Sequence, residues 1–263
     1  MCYDISFTVN ISELADYFPG LQFDEQVDIN FGSLDHVQGV GVFSEHPVVY
    51  INRESFKPHC KMMEWSCIEY STKEEPDWKT RNGMLNIRSE RVLGDTNSYW
   101  YKIRNRRCLM PVTGIYEHRE VKGWKKKVPY LVKPLHQQRM FFLPGLYSVA
   151  ELPDKETGEL FKRHTFALMT RAANSVMRNI HNSGDNRHRM PLFLPFEMSK
   201  AFLSEDLTQA DYKDILDYEM KSEDLYFHPV HTIRTPKLRG DGKSKHEQWN
   251  WEKLPALGEA NPE

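Results

Sequence analysis

Two apolar runs, Arg107-Cys-Leu-Met-Pro-Val112 and Gly114-Ile-Tyr-Glu-His118, adjoin at Thr113-Gly114. Each has strand length, and the Thr-Gly pair between them is a turn signal. Similar runs flank them on both sides. Upstream, Ile5, Phe7 and Val9 alternate, Pro47–Ile51 is β-branched, and Lys61–Ile68 is a further candidate strand. Downstream come Pro129–Lys133, Arg139–Tyr147 and His164–Thr170, with hairpin turns expected at Lys122-Gly123 and Asp154–Gly158. Leu225–Ile233 adds a closing strand. Helical patterns are few. Ser12 is a candidate cap for a short helix carrying Leu14, Tyr17 and Phe18, and Thr170 for one with Ala173, Val176, Met177 and Ile180 on one face. Pro195–Leu203 and Thr208–Tyr218 read as two more, and Thr72–Asn82 as a polar loop. Strands clustered in the middle and helices late, without β–α alternation, predict an α+β fold with mostly antiparallel strands. One domain over residues 1–240 is expected, followed by a polar, loosely ordered tail at 241–263 in which Trp249 and Trp251 are the residues able to dock.

The 263 residues suffice for one large core. Hydrophobic residues make up 40% and charged ones 27%, a balance that excludes disordered and fibrous classes. The net charge of −2 gives no global positive field, so any nucleic-acid site must be a local basic patch. Cys2, Cys60, Cys67 and Cys108 match no zinc spacing and contain no CxxC pair. No metal or organic cofactor is expected. Few cysteines, an N-terminus unlike a signal peptide, and no run near ~18 apolar residues together predict a cytoplasmic protein with no membrane span, expected to be monomeric.

Four clusters are able to carry chemistry. Cys2 becomes the N-terminal residue if Met1 is removed. Its amine and thiol then both titrate near neutrality and form a 1,2-aminothiol. Such a group can attack an amide as an N-terminal nucleophile, or condense with an aldehyde and close to a thiazolidine ring. A cysteine that is second by chance is the alternative. In Asn86-Ile-Arg-Ser-Glu90, alternate residues share one side of an extended chain, where Asn86 and Arg88 suit a sugar and a phosphate and Glu90 can hold Arg88. Glu117 follows an apolar strand, and burial would fit it to proton transfer. His181, Arg187, His188 and Arg189 form a cationic cluster suited to phosphate. The competing reading for each of the last three is a solvent-facing or structural role.

In order, the chain presents Cys2, Trp65, Asn86-x-Arg88-Ser-Glu90, Arg107-Cys-Leu-Met-Pro, Gly114-Ile-Tyr-Glu117, Pro129-Tyr130, Pro144-Gly-Leu-Tyr147, Leu168-Met-Thr170, Ile180-His181 and Arg189-Met-Pro191. This series resembles the SRAP family, the SOS response-associated peptidases, from residue 2 to about residue 233. The resemblance implies a single SRAP-type domain with a barrel-like core. It implies binding of single-stranded DNA, a thiazolidine crosslink between Cys2 and the aldehyde of an abasic site, and autopeptidase-like release of Met1. Carried over by position, Cys2 is the nucleophile, Asn86 positions its amine or the sugar, Glu117 is the general acid/base and His181 assists at the sugar oxygen. Trp65, Arg88, Arg106, Arg171, Arg187, Arg189 and Pro191 are the implied DNA contacts, with Arg104 and Arg178 as further groove candidates.

Three departures stand out. Tyr3 and Asp4 follow Cys2 where the family usually has Gly-Arg, which puts a carboxylate where an arginine commonly meets phosphate. Trp65-Ser-Cys-Ile-Glu69 replaces Trp-Gly-Leu-Ile-Pro, and Glu69 is unfavourable near DNA. Seven residues separate His181 from Arg189 where the family has one. Either His181 keeps its role beside an extruded loop, or His188 takes it over. Two other functions compete with the crosslinker: a cysteine peptidase or amidohydrolase, and a non-catalytic module that binds single-stranded DNA.

Overall fold

In the computed structural model, which describes residues 2–25, 27–28, 31–136, 139–154 and 156–262, strands dominate and helices are short. The strands are β1 (Asp4–Asn10), β2 (Gln22–Phe23), β3 (Gly32–Gln38), β4 (Glu45–Ile51), β5 (Pro58–Trp65), β6 (Asn86–Arg88) and β7 (Arg107–Val112). They continue as β8 (Gly114–Arg119), β9 (Val128–Pro134), β10 (Phe141–Pro153), β11 (Leu160–Ala172), β12 (Arg189–Pro191) and β13 (Leu225–Pro229). The helices are α1 (Leu14–Tyr17), α2 (Trp78–Gly83), α3 (Glu90–Gly94), α4 (Tyr99–Lys102), α5 (Ser175–Ile180), α6 (Phe196–Leu203) and α7 (Gln209–Asp217). Met1 lies outside the described residues.

One sheet runs β12-β11-β10-β7-β4-β5-β2, and β11 also pairs in parallel with β5 at Thr165↔Glu64 and Phe166↔Trp65. That extra pairing closes β5, β4, β7, β10 and β11 into a five-stranded barrel, whose other four pairings are antiparallel, β10 and β11 forming a long hairpin. A second sheet, β13-β9-β8-β1-β3, packs against it. The expected α+β class with a mostly antiparallel, barrel-like core and peripheral helices holds. Alternation along β7 explains the layering. Cys108, Met110 and Val112 join the core cluster that contains Cys2, Ile5 and Trp65. Leu109 instead joins the cluster under α6 and α7, with Phe202, Tyr212 and Ile215.

Thr113-Gly114 is a corner between the two sheets, not a hairpin turn. Thr113 N–H donates to the Ser6 carbonyl at 2.9 Å, and its hydroxyl meets Ser6 Oγ at 3.0 Å. A Cβ at Gly114 would fall 2.5 Å from Leu131 Cδ1, so any larger residue there would have to push the Leu131 side chain aside. The corner sends the chain onward beside β1, with Asp4↔Tyr116 and Ile5↔Ile115 in register. This places Tyr3 beside Glu117.

Three local expectations change. Helix α2 starts inside the stretch expected to be loop, because Asp77 accepts from the backbone N–H of Lys79 and Thr80. Asn10, not Ser12, caps the first helical turn through a reciprocal box with Glu13. Thr170 stays in β11, and Asn174 caps α5 by accepting from Met177 N–H.

The tail expected to be loosely ordered is pinned. Arg119 is fully buried and its guanidinium donates to the carbonyls of Pro255, Ala256 and Glu259. Lys122 N–H donates to the Ala260 carbonyl, and Trp251 Nε1–H to the Val230 carbonyl. The docking expected of Trp251 is therefore present, while the segment around it is ordered by main-chain carbonyls that sequence patterning does not display.

His46 is wholly buried at the β1–β4 junction, with Nε2 donating to the Pro111 carbonyl at 2.8 Å. Burial pushes its pKa down to about 4. A histidine depressed in the folded state destabilises the fold as pH falls from its unfolded value near ~6.5 through the folded one. The loss should approach ~3 kcal/mol at pH 4, measured by denaturant melts across pH 4–7, and His46→Gln should flatten that acid limb.

Candidate functional site

The start of β1, the end of β8, the edge strand β6 and the end of α5 converge on Cys2. Asn86 Nδ2–H donates to the Cys2 carbonyl at 2.9 Å. Leu168↔Asn86 pairing with β11 fixes that side chain in place. The Cys2 side chain is wholly buried, with Sγ 3.8 Å from the Asp4 carbonyl. Burial first, and then the nearby charge of Glu117, push the thiol well above its ordinary pKa. The resting thiol is therefore protonated at neutral pH.

Glu117 is 4% exposed, and its Oε1 has no hydrogen-bond partner among the described residues. The same holds for Asn86 Oδ1. Buried acceptors left open are rare, and two beside one cysteine mark a place where a donor is expected to arrive. Glu117 and His181 line one cavity of about 450 Å³, together with Tyr3, Lys127 and Arg234. His181 caps the C-terminus of α5, and its Nδ1 donates to the Arg189 carbonyl at 2.8 Å. That bond puts a proton on Nδ1 and makes Nε2 the basic nitrogen.

The residues between His181 and Arg189 are an extruded loop. His188 N–H donates back to the His181 carbonyl at 2.8 Å, closing it, and His188 itself is not among the cavity's lining residues. The loop reaches the cavity instead through Ser183, Gly184, Asp185 and Asn186. Of the two candidate histidines, His181 is the one beside Glu117.

Several expected DNA contacts are placed otherwise. Trp65 is fully buried, sandwiched by Gly39 and Phe166, with Nε1–H on the Leu85 carbonyl. Its ring is a core element and presents no face to a base. Pro191 is buried in β12. Arg189 is only 11% exposed; it gives both terminal nitrogens to Glu90 and one of them also to the Thr170 carbonyl. Glu90 therefore holds Arg189, not Arg88, because the chain leaves the short strand β6 after Arg88 and enters α3. Arg171 is spent on Glu219 and the carbonyls of Asp217 and Tyr218, where it ties α7 to the barrel. Arg106 lies over the Tyr70 ring, and Arg104 folds back onto Tyr101. Arg88 and Arg187 are exposed.

Asp4 also departs from expectation. It is 1% exposed, so its charge does not face a ligand. It accepts from His36 Nε2 at 2.8 Å and from Arg234 through Nε and a terminal nitrogen. Burial alone would raise the carboxyl, but these hydrogen bonds outweigh it and hold the pKa below the ordinary range. Arg234 escaped the sequence reading because no motif surrounds it; a buried acid one residue from Tyr3 was the only signal.

Solved structures share this fold. A protein from Bacteroides thetaiotaomicron has the same fold with a TM-score of 0.69 and 24% identity, over 94% of this chain and 97% of that one. A protein from Bordetella bronchiseptica gives 0.65 at 16% identity over 88% of this chain and 100% of its own. A phage-related protein from the same organism gives 0.60 at 16% identity, over 88% of this chain and 95% of its own. No curated protein matches the chain. The family model of the SOS response associated peptidases matches residues 1–233, which spans Cys2, Asn86, Glu117 and His181 alike. The chain belongs to the SRAP family, the SOS response-associated peptidases, and so to the proteins of the DNA-damage response.

Proposed function

We propose that this protein captures abasic sites in single-stranded DNA as a thiazolidine on Cys2, after autopeptidase-like loss of Met1. The observation that carries the reading is the pair of open acceptors, Asn86 Oδ1 and Glu117 Oε1, next to a cysteine that is second in the chain.

The reaction balances without a cofactor. Loss of Met1 frees the Cys2 α-amine, whose N–H groups Asn86 Oδ1 can receive. A ring-opened abasic sugar offers an aldehyde at C1′. The amine adds to that carbon, a C–N bond forms, and water leaves to give an imine. The thiol then adds to the imine carbon, and the S–H proton ends on nitrogen as the ring closes. The net change is aldehyde plus aminothiol to thiazolidine plus water. A protonated resting thiol suits this order, because the amine acts first and sulfur needs a base only at closure. Glu117 is the group placed to shuttle those protons, and His181 Nε2 the one to serve the sugar oxygen as the ring opens.

The test is denaturing electrophoresis of the protein, with Met1 removal verified by mass, against single-stranded DNA bearing one abasic site. A band surviving denaturation without reductant is expected, and none on undamaged DNA. Glu117→Gln should slow its appearance on the order of a hundredfold. No band from a protein that has lost Met1 overturns the proposal.

A further inference from the structure

Arg234 lies one residue beyond the stretch matched by the family model, yet it reaches the cavity that Glu117 and His181 line. Two features set it apart from Arg189 and Arg171. First, its guanidinium is gripped along one edge only. Asp4 takes Nε and one terminal nitrogen, while the other terminal nitrogen makes no hydrogen bond among the described residues. Second, the exposure is reversed. Arg234 is 40% exposed and its partner Asp4 2%, whereas Arg189 is 11% exposed and its partner Glu90 54%. Solvent and incoming ligands thus meet the acid of one pair and the base of the other.

The rest of the chain is arranged to hold Arg234 there. Lys245 Nζ donates to the carbonyls of Ile233 and Thr235, the residues on either side, at 2.9 Å each. Lys245 N–H and His246 Nδ1 are fixed in turn on Asp35 at 3.1 and 2.9 Å. Arg239, itself buried, ties the turn together through the carbonyls of Ser244, Glu247 and Gln248. The segment after residue 234 thus holds the backbone on both sides of Arg234. Ser183 Oγ, in the same lining, is buried without a partner among the described residues, and Lys127, 3.5 Å from Glu120 Oε2, is a second cation there. Glu117 and Asp185 are the carboxylates in the same wall.

We infer that Arg234 is a phosphodiester-binding residue of this site, which grips the backbone beside the reacting nucleotide through its open edge, with Asp4 as the positioning residue that aims it. This rests on the reading of the cavity as a single-stranded DNA site. It assigns to the C-terminal segment a part in binding. A planar guanidinium with three of its five N–H donors left over can meet two phosphate oxygens at once, which an ammonium at the same place would not match in geometry.

The experiment is fluorescence anisotropy of end-labelled, undamaged oligothymidylate with the full chain over a salt series. Arg234→Met should weaken binding on the order of tenfold and lower the salt slope by about 0.7, the value of one phosphate contact on a single strand. Arg234→Lys should keep the slope and lose part of the affinity. Because Asp4 would be left buried without its arginine, the neutral pair Asp4→Asn with Arg234→Met is measured alongside and should show the same loss. Arg171→Met removes an equal charge elsewhere and should change neither quantity. Unchanged affinity and slope in the folded double variant, an equal loss in Arg171→Met, or no salt-dependent binding by the wild type would each overturn the inference. The assay needs no abasic site. A protein that fails to crosslink but binds through Arg234 rejects the proposed reaction alone; one that crosslinks and binds without regard to Arg234 rejects this inference alone.

Discussion

Replacing Cys2 by alanine is expected to abolish the reductant-free covalent band on abasic DNA, a loss of at least about a hundredfold in yield, as for removal of a nucleophile. The α-amine survives in this variant once Met1 is gone, so an imine can still form. Without sulfur it cannot close to a ring, and it hydrolyses on denaturation. Borohydride added during the reaction should therefore trap a band in Cys2→Ala that does not appear without it. The two bands separate the C–N step from the C–S step. The fold should tolerate the change, since only one sulfur is lost from the core, at a cost of about 1 kcal/mol. A reductant-free band of normal yield in Cys2→Ala would move the nucleophile elsewhere. Cys2→Ser tests the same point from the other side, because a hydroxyl restores the hydrogen-bonding volume but not the sulfur chemistry.

The second large effect concerns Arg119. Its guanidinium lies at the centre of the C-terminal segment and answers three carbonyls there, at 2.9, 2.7 and 2.6 Å. Hydrogen bonds to a charged group contribute about 1.5–3 kcal/mol each, so Arg119→Met should cost at least ~4 kcal/mol if the segment stayed in place. The cheaper response is release of the segment to water, which caps the loss and leaves it open to proteases. Limited proteolysis should then cut the variant between residues 250 and 262 at enzyme levels that leave the wild type intact. Denaturant melts should show a lower midpoint. Asn261, in this segment, accepts from Asn182, which leads into the loop that lines the cavity. A slower crosslink in Arg119→Met is expected on that account. Wild-type resistance to protease and an unchanged midpoint would show that the segment holds by its apolar contacts alone.

Much of the fold was legible in the sequence. Alternation at Ile5, Phe7 and Val9 marked β1, and β4, β7, β9 and β11 were legible as short apolar or β-branched runs because each is buried on both faces over much of its length. The Arg107–Val112 bounds coincide with β7. Barrel closure through β11 and β5 was not legible, since a parallel pairing between strands a hundred residues apart leaves no local mark. Cap positions went astray at Ser12 and Thr170 because a neighbouring asparagine competes for the same N–H groups, and sequence does not say which wins. At the site, Cys2, Asn86, Glu117 and His181 were each nameable, and the structure brings them to one place. The cationic residues were not sortable. Arginine reads as the same letter whether it lines a cavity, as Arg234 does, or is consumed by carbonyls and carboxylates, as Arg171 and Arg189 are.

The sequence by itself determined which chemistry is available: a cysteine second in the chain, an asparagine and a glutamate at strand positions, a histidine at a helix end. Those are properties of residue type and local spacing, and they survive any arrangement of the strands. Only the tertiary structure decided which charges face the cavity and which are buried in ion pairs. Asp4 and Arg234 are 230 positions apart and become one unit, while Trp65 turns from a candidate stacking surface into core. The reason is that burial and ion pairing depend on long-range contacts, and a buried acid aims its arginine outward only once the fold has closed around it.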